Sequence, residues 1–170
     1  MSGNKYILFI ISVIIPIVIF TKTAYAETTA TVSATVIFQN ISVTVSDGSV
    51  SYGTLSANSS KSTIASDLND TQTATNNGNL AEDLNIKGQN SSDWSLSDTS
   101  GIDQYVHQFC TSGCSNPPTG YTALTTNYQT LSSNTSSSGT QTFDLRITTP
   151  TSSSVFSQQS VDVTIQAVAH

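Results

Sequence analysis

Few side chains in the sequence have the type and spacing that catalysis needs. His107 and His170 are the two histidines, and histidine is the side chain that general acid–base catalysis uses most often. The sequence contains neither a Gly-x-Ser-x-Gly nucleophile elbow nor a His-Glu-x-x-His zinc pair. We therefore expect no catalytic residues and no enzymatic activity. The alternative is a secreted hydrolase, for which His107 would be the general base.

Carboxylates and amides supply the remaining polar chemistry. Glu82 with Asp83, and Asp67 with Asp70, are acidic pairs of the type that glycosidases use, although acidic side chains mostly lie solvated on turns and strand edges. Residues 67–79 offer oxygen ligands that suit calcium, without the spacing of an EF-hand loop. Turn-forming Asn and Asp explain the same composition. We expect no cofactor and no metal site, and calcium in this segment is the one alternative.

Cys110 and Cys114 are the only cysteines, and three residues separate them. Disulfides persist in exported proteins, so we expect these two residues to form a bridge that fixes the tip of a hairpin. The redox and metal alternatives are weaker, because the redox motif is Cys-x-x-Cys beside a βαβ unit. Trp94 is the only tryptophan, and it is either core filler or a candidate ligand contact that stacks on a sugar.

The N-terminal residues have the organisation of a secretory signal peptide. Lys5 precedes an apolar run over residues 6–20, and Ala24 and Ala26 give the Ala-x-Ala pattern that signal peptidase accepts. We predict cleavage after Ala26, which makes residues 1–26 the signal peptide. An uncleaved anchor is the alternative, but the run is shorter than the roughly 20 residues of a spanning helix.

Residues 27–170 are acidic, polar and long enough for one domain. They carry a net charge of −8, three basic against eleven acidic side chains, with no basic cluster. This charge disfavours nucleic acid and anionic lipid as partners. The polarity comes mainly from Ser, Thr, Asn and Gln, and β-branched Thr is compatible with strands. We expect a single secreted or cell-surface domain without a membrane span in its mature form.

Alternating apolar and polar residues recur through the chain, and no helical periodicity persists. Period two is typical of half-buried strands. A Ser-rich turn is predicted at 132–139 and an edge strand around 71–75. The other predicted strands are 31–45, 50–55, 80–86, 94–96, 104–109, 121–124, 128–131, 143–148 and 161–167. The fold class is therefore all-β, a two-sheet antiparallel β-sandwich with either an immunoglobulin-like or a jelly-roll strand order.

The order of several short motifs resembles small secreted bacterial surface proteins. These motifs are Ile-Ser-Val-Thr-Val at 41–45, Tyr-Gly-Thr-Leu at 52–55, Asn-Asn-Gly-Asn at 76–79, Asp-Trp-Ser-Leu-Ser at 93–97 and the segment 139–150. Trp94-Ser95-Leu96 is similar to the first motif of the WxL cell-wall-associated domain. Residues 161–167, where that family has its second Trp-x-Leu, contain no Trp.

A second similarity is to camelysin-like and biofilm-fibre proteins, which are acidic β-sandwiches that polymerise by strand exchange. That resemblance implies that residues 28–38 act as a donor strand. The alternative for these residues is an ordinary first strand paired within its own domain. We expect a non-catalytic structural or binding protein of an envelope, matrix or adhesive layer. Its partner would be an extracellular protein or glycan, or another copy of itself, and a carbohydrate-binding module is a further alternative.

Overall fold

The computed structural model describes residues 28–170. The chain divides into two units, Met1–Val36 and Ile37–His170. The described residues of the first unit, 28–36, are exposed and contain no strand. The predicted signal peptide and the cleavage after Ala26 lie outside the described residues, and the single domain over 27–170 stays a prediction.

Ten strands form the second unit, and residues 28–170 contain no helix. No helix that could cross a membrane therefore occurs in the described part of the chain. The strands are β1 (Val43–Val45), β2 (Ser60–Ser62), β3 (Gln72–Asn76), β4 (Glu82–Lys87), β5 (Ser95–Leu96), β6 (Gln104–Cys110), β7 (Thr122–Ala123), β8 (Gln129–Thr135), β9 (Thr140–Thr148) and β10 (Thr164–Ala169).

The strands form two sheets, as the sequence predicts. The larger sheet has the order β1-β3-β9-β6-β5, with β2 also paired to β9 and β7 to β6, and the smaller sheet has the order β10-β4-β8. Every pairing between named strands is antiparallel except that of β5 with β6. The fold is an all-β two-sheet sandwich.

Part of the strand order matches the immunoglobulin-like alternative, but β8 does not. The run β1-β3-β9-β6 corresponds to strands A-B-E-D of a constant-type immunoglobulin domain, and the neighbours β4 and β10 correspond to strands C and F. In that arrangement a seventh strand, G, pairs with the outer edge of F. No strand among residues 28–170 pairs with the outer edge of β10. Strand β8 pairs with β4 and lies between β6 and β9 in the chain, whereas the extra strands of that fold lie between C and D.

Alternation places the apolar side chains between the sheets. In β4, Glu82, Leu84 and Ile86 are buried while the residues between them are half-buried, as period two requires. The buried apolar core takes residues from both sheets and from the segment after β7: Ala74, Leu84, Ile86, Phe109, Leu124, Leu131, Phe143 and Leu145.

Several strand predictions are wrong. Only Val43–Val45 of the predicted strand 31–45 is a strand, and residues 50–55 form none. The strand near residue 72 is not an edge, because β3 pairs with β1 on one side and with β9 on the other. Strand β8 extends to Thr135 into the predicted Ser-rich turn, where β4 provides its backbone partners. In each case the pairing available in the sandwich decides the outcome, and local composition does not.

Candidate functional site

An open groove runs along the inner face of the larger sheet. Its floor contains the alternate residues Phe143, Leu145 and Ile147 of β9, of which Phe143 and Leu145 are buried in the core and Ile147 is half-buried. Its volume is about 1110 Å³. Val163, which precedes β10, and Ile165, the second residue of β10, also line it. The groove is therefore apolar along its floor and lies beside the unpaired edge of the smaller sheet.

Two irregular segments form the walls of the groove. One comprises residues 50–55, with Val50 and Leu55 facing the groove, and the other comprises residues 156–162. No residue of either segment forms a backbone–backbone hydrogen bond within the described part of the chain. Unpaired backbone groups beside an apolar cleft are the features to which an added β-strand binds. The cleft therefore has both an apolar floor and free backbone donors and acceptors.

A smaller pocket of about 140 Å³ lies at one end of the groove. Leu55, Trp94 and Phe156 belong to both the pocket and the groove, and Pro150 closes the pocket. The indole Nε1 of half-buried Trp94 donates a hydrogen bond of 3.1 Å to the hydroxyl of Ser153. Trp94, the predicted candidate ligand contact, therefore lies at the groove with its ring held in a fixed orientation.

One polar pair faces the groove. The Nε2 atom of buried His107 lies 3.0 Å from the hydroxyl of Tyr52, and the two rings meet edge to face. Burial lowers the pKa of His107 to about 4, and burial also raises the pKa of Tyr52. The Nδ1 atom of His107 has no hydrogen-bond partner among residues 28–170. The pair is thus uncharged at neutral pH and compatible with an apolar guest.

The apolar residues of segment 28–38 are almost fully exposed. The exposed fractions are 94% for Val32, 94% for Val36 and 88% for Phe38. Val32, Ala34, Val36 and Phe38 would share one face of a strand, with Ser33, Thr35 and the apolar Ile37 on the other. The segment has no charged residue. It therefore has the pattern of a half-buried strand but no partner strand within the described residues.

The residues that follow this segment are attached to the turn between β3 and β4. Asn79 donates from its side-chain nitrogen to the carbonyl of Phe38 (2.7 Å) and accepts from the amide of Asn40 (2.9 Å). The amide of Ser42 donates to Oε1 of Glu82 (2.9 Å). We call residues 38–42 the root of the N-terminal segment. Hydrogen bonds to Asn79 and Glu82 fix the root at the end of the sandwich where this turn lies.

Buried polar groups hold that turn in place. The side-chain nitrogen of Asn76 donates to the carbonyls of Leu80 and Thr135, and its oxygen accepts from the amide of Gly78. A Cβ atom on Gly78 would overlap Oε1 of Glu82 and crowd the carbonyl oxygen of Asn40, so only glycine fits there. Glu82, predicted as one member of an acidic pair, is fully buried and binds the root.

The other predicted site residues lie elsewhere in the structure. Cys110 and Cys114 form a disulfide, with their Cα atoms 5.8 Å apart, as predicted. Asp83 contacts His170, and the amide of Asn134 and the His170 side chain hold the pKa of Asp83 below its usual value. A disulfide is typical of an oxidising, extracellular type of environment.

Asp67 accepts a hydrogen bond from the amide of Ser62, and Asp70 accepts one from Gln72. Among residues 28–170 no group of three or more His, Cys, Asp or Glu side chains could hold a metal ion. Calcium in segment 67–79 stays a prediction.

No protein-family model matches the sequence, and no curated protein or solved structure matches it. The candidate site therefore has to be interpreted from its own geometry.

Sequence reasoning found the alternating segment 28–38 and Trp94 but missed the groove. The groove exists because residues 50–55, which the sequence predicts as a strand, and residues 156–162 do not pair. Phe156, which is 93% exposed, follows Val155 between two polar runs, and these residues show no alternating pattern. Only the pairing of the strands in three dimensions shows that a strand position beside β10 is open.

Proposed function

We propose that this chain is a non-catalytic structural protein that acts outside the cytoplasm and polymerises by strand donation. Each copy gives residues 28–38 to the open groove of the next copy. The observation that carries this proposal is a pair of complementary features in one chain: an exposed alternating segment and an unfilled apolar groove beside an unpaired strand edge.

Charge and polarity support this pairing. The groove presents Phe143, Leu145 and Ile147, and the donated face would present Val32, Val36 and Phe38. Burying the three exposed donor side chains gives roughly 1.5–3 kcal/mol each, whereas Phe143 and Leu145 are already buried and would gain only packing contacts. The backbone of the donated segment would hydrogen-bond to the free edge of β10, as in other cases of strand addition. The uncharged segment would bring no unpaired charge into the groove.

Export is the second part of the proposal. The signal-peptide pattern of residues 1–26 and the Cys110–Cys114 disulfide both favour a location outside the cytoplasm. The acidic surface would keep single copies apart until the donated strand binds, because like charges repel. Polymerisation would then require a specific contact, which the groove supplies.

Two adjacent substitutions test this function on residues 27–170. Val36→Asp places a carboxylate on the face that would enter the groove, whereas Thr35→Asp adds the same charge on the opposite face. Size-exclusion chromatography with light scattering should find Val36→Asp monomeric and Thr35→Asp assembled. Assembly of both variants would refute strand donation by residues 28–38. Deletion of residues 28–36 should also abolish assembly and leave the circular dichroism of the sandwich unchanged.

A carbohydrate-binding module is the second candidate, because Trp94 lines an open pocket. It predicts that soluble glycans quench the fluorescence of Trp94 in the monomeric Val36→Asp variant. If donation is correct and the pocket serves only assembly, the glycans leave this fluorescence unchanged.

A further inference from the structure

The two ends of the groove differ, and the difference can set the direction of the donated strand. The root lies at the end where β9 begins. Val43 of β1 pairs with Asn76, and the amide of Asn76 bonds to the carbonyl of Gly139, one residue before β9. Residues 38–42 precede Val43, so they lie at or beyond that end of the sheet. Each donated segment is therefore joined to its own sandwich at the end where β9 begins.

The small pocket lies at the opposite end of the groove. Thr149 and Pro150, which directly follow β9, line it together with Leu55, Trp94 and Phe156. At the other end of the floor, Phe143 pairs with Gln72, and Val45 of β1 borders the groove. That end carries the acceptor's own root. The pocket end is the one that is free to meet another copy.

The link between the donated segment and the root is short. Phe38 belongs to both the donated segment and the root, because its carbonyl accepts a hydrogen bond from Asn79, and the amide of Asn40 also bonds to Asn79. Phe38 would therefore enter the acceptor at whichever end touches the donor's sandwich. In one arrangement, the end of one copy where β9 begins meets the end of the next copy where β9 finishes. This contact is head-to-tail and can repeat without closing. Phe38 then lies at the pocket.

The spacing of the two chains agrees with this arrangement. Val32 and Phe38 are six residues apart, and so are Phe143 and Thr149, a distance of about 20 Å along a strand. We propose one register for the donated strand, a proposal that rests on the proposed function. Phe38 fills the pocket of Leu55, Trp94 and Phe156 of the next copy, and Val32 lies over Phe143 with the strand running in the direction of β9.

The chemistry of the pocket suits an aromatic ring. The indole of Trp94 and the ring of Phe156 lie on its sides, and Pro150 adds a third flat apolar surface. Phe38 is the only aromatic residue in segment 28–38. Val36 would lie over Ile147, and Ile37 would face away from the floor. Phe38 is thus the residue that fixes the register, and smaller side chains occupy the rest of the groove.

Site-specific photo-crosslinking of the polymer tests this register. Two variants of residues 27–170 carry benzoylphenylalanine in place of Phe38 or of Val32. Each is mixed with an equal amount of isotope-labelled unmodified chain, allowed to assemble and irradiated. Mass spectrometry should find that position 38 links to the labelled chain near Leu55, Trp94 or Phe156. Position 32 should link near Val45, Gln72 or Phe143.

The outcomes separate this proposal from the function on which it rests. The reverse pattern, with position 38 near Phe143 and position 32 near Trp94, would overturn the register and leave strand donation standing. Links within one copy, or an absence of both polymer and links, would overturn strand donation itself. As a second measurement, Phe38→Ala should weaken the association between copies roughly 30-fold. The control is Ile37→Ala, which truncates the neighbouring and equally exposed side chain and should change the association little. Equal effects of the two substitutions would contradict the register.

Discussion

Mild acid should destabilise the sandwich through His107. Its ring is buried against Tyr52, and burial lowers its pKa from the usual 6.5 to about 4. In the unfolded chain the ring should titrate near 6.5. Between these two values the unfolded chain binds a proton that the folded chain excludes, so the free energy of unfolding falls as the pH falls from 6.5 to 4. Above pH 6.5 this group should have no effect.

The size of the effect follows from the shift. A difference of about 2.5 pK units corresponds to about 3 kcal/mol, of which about 2 kcal/mol is lost by pH 5. His107→Gln should remove this pH dependence, because glutamine can bond to Tyr52 without titrating. His170→Gln is the matched control, because it removes the exposed histidine and should leave the dependence at its original size.

The assay is urea denaturation at pH 7.5 and pH 5, followed by the fluorescence of Trp94. The measurement is best made in the Val36→Asp background, which we expect to be monomeric, so that assembly does not contribute to stability. Identical pH dependence in the Val36→Asp chain with and without His107→Gln would refute the assignment of acid sensitivity to this buried ring.

Three further predictions concern the groups that hold the turn and the hairpin. Gly78→Ala should lower the free energy of unfolding by about 1–3 kcal/mol, because the new methyl group would overlap Oε1 of Glu82, and urea denaturation would detect it. Asn76→Ala should cost at least about 2 kcal/mol in the same assay, because it removes a partner from the buried carbonyl of Thr135, the half-buried carbonyl of Leu80 and the buried amide of Gly78. Reducing the Cys110–Cys114 bridge should cost about 2 kcal/mol, since its loop is short, and should not prevent polymerisation, because neither cysteine lines the groove.

Alternation was enough to predict the fold class and the clearest strands. The buried and half-buried residues of β4 alternate as the sequence indicates, and β6 and β9 lie where the pattern places them. These strands have partners on both sides, so local preference and tertiary pairing agree. The disulfide followed from the number and spacing of the cysteines.

The segments that line the site could not be predicted in the same way. Residues 31–38 alternate as β4 does, and residues 50–55 are predicted as a strand, yet neither segment pairs within the described chain. A periodic pattern reports which face could be buried and says nothing about which partner buries it. The same pattern is expected of a strand whose partner is in another molecule, and this ambiguity is the physical reason why the groove was missed.

The most direct test of the account is the size distribution of purified residues 27–170 over time, by light scattering and negative-stain microscopy. The account predicts linear polymers one sandwich wide that grow with time and concentration. A chain that stays monomeric at high concentration would contradict strand donation between copies.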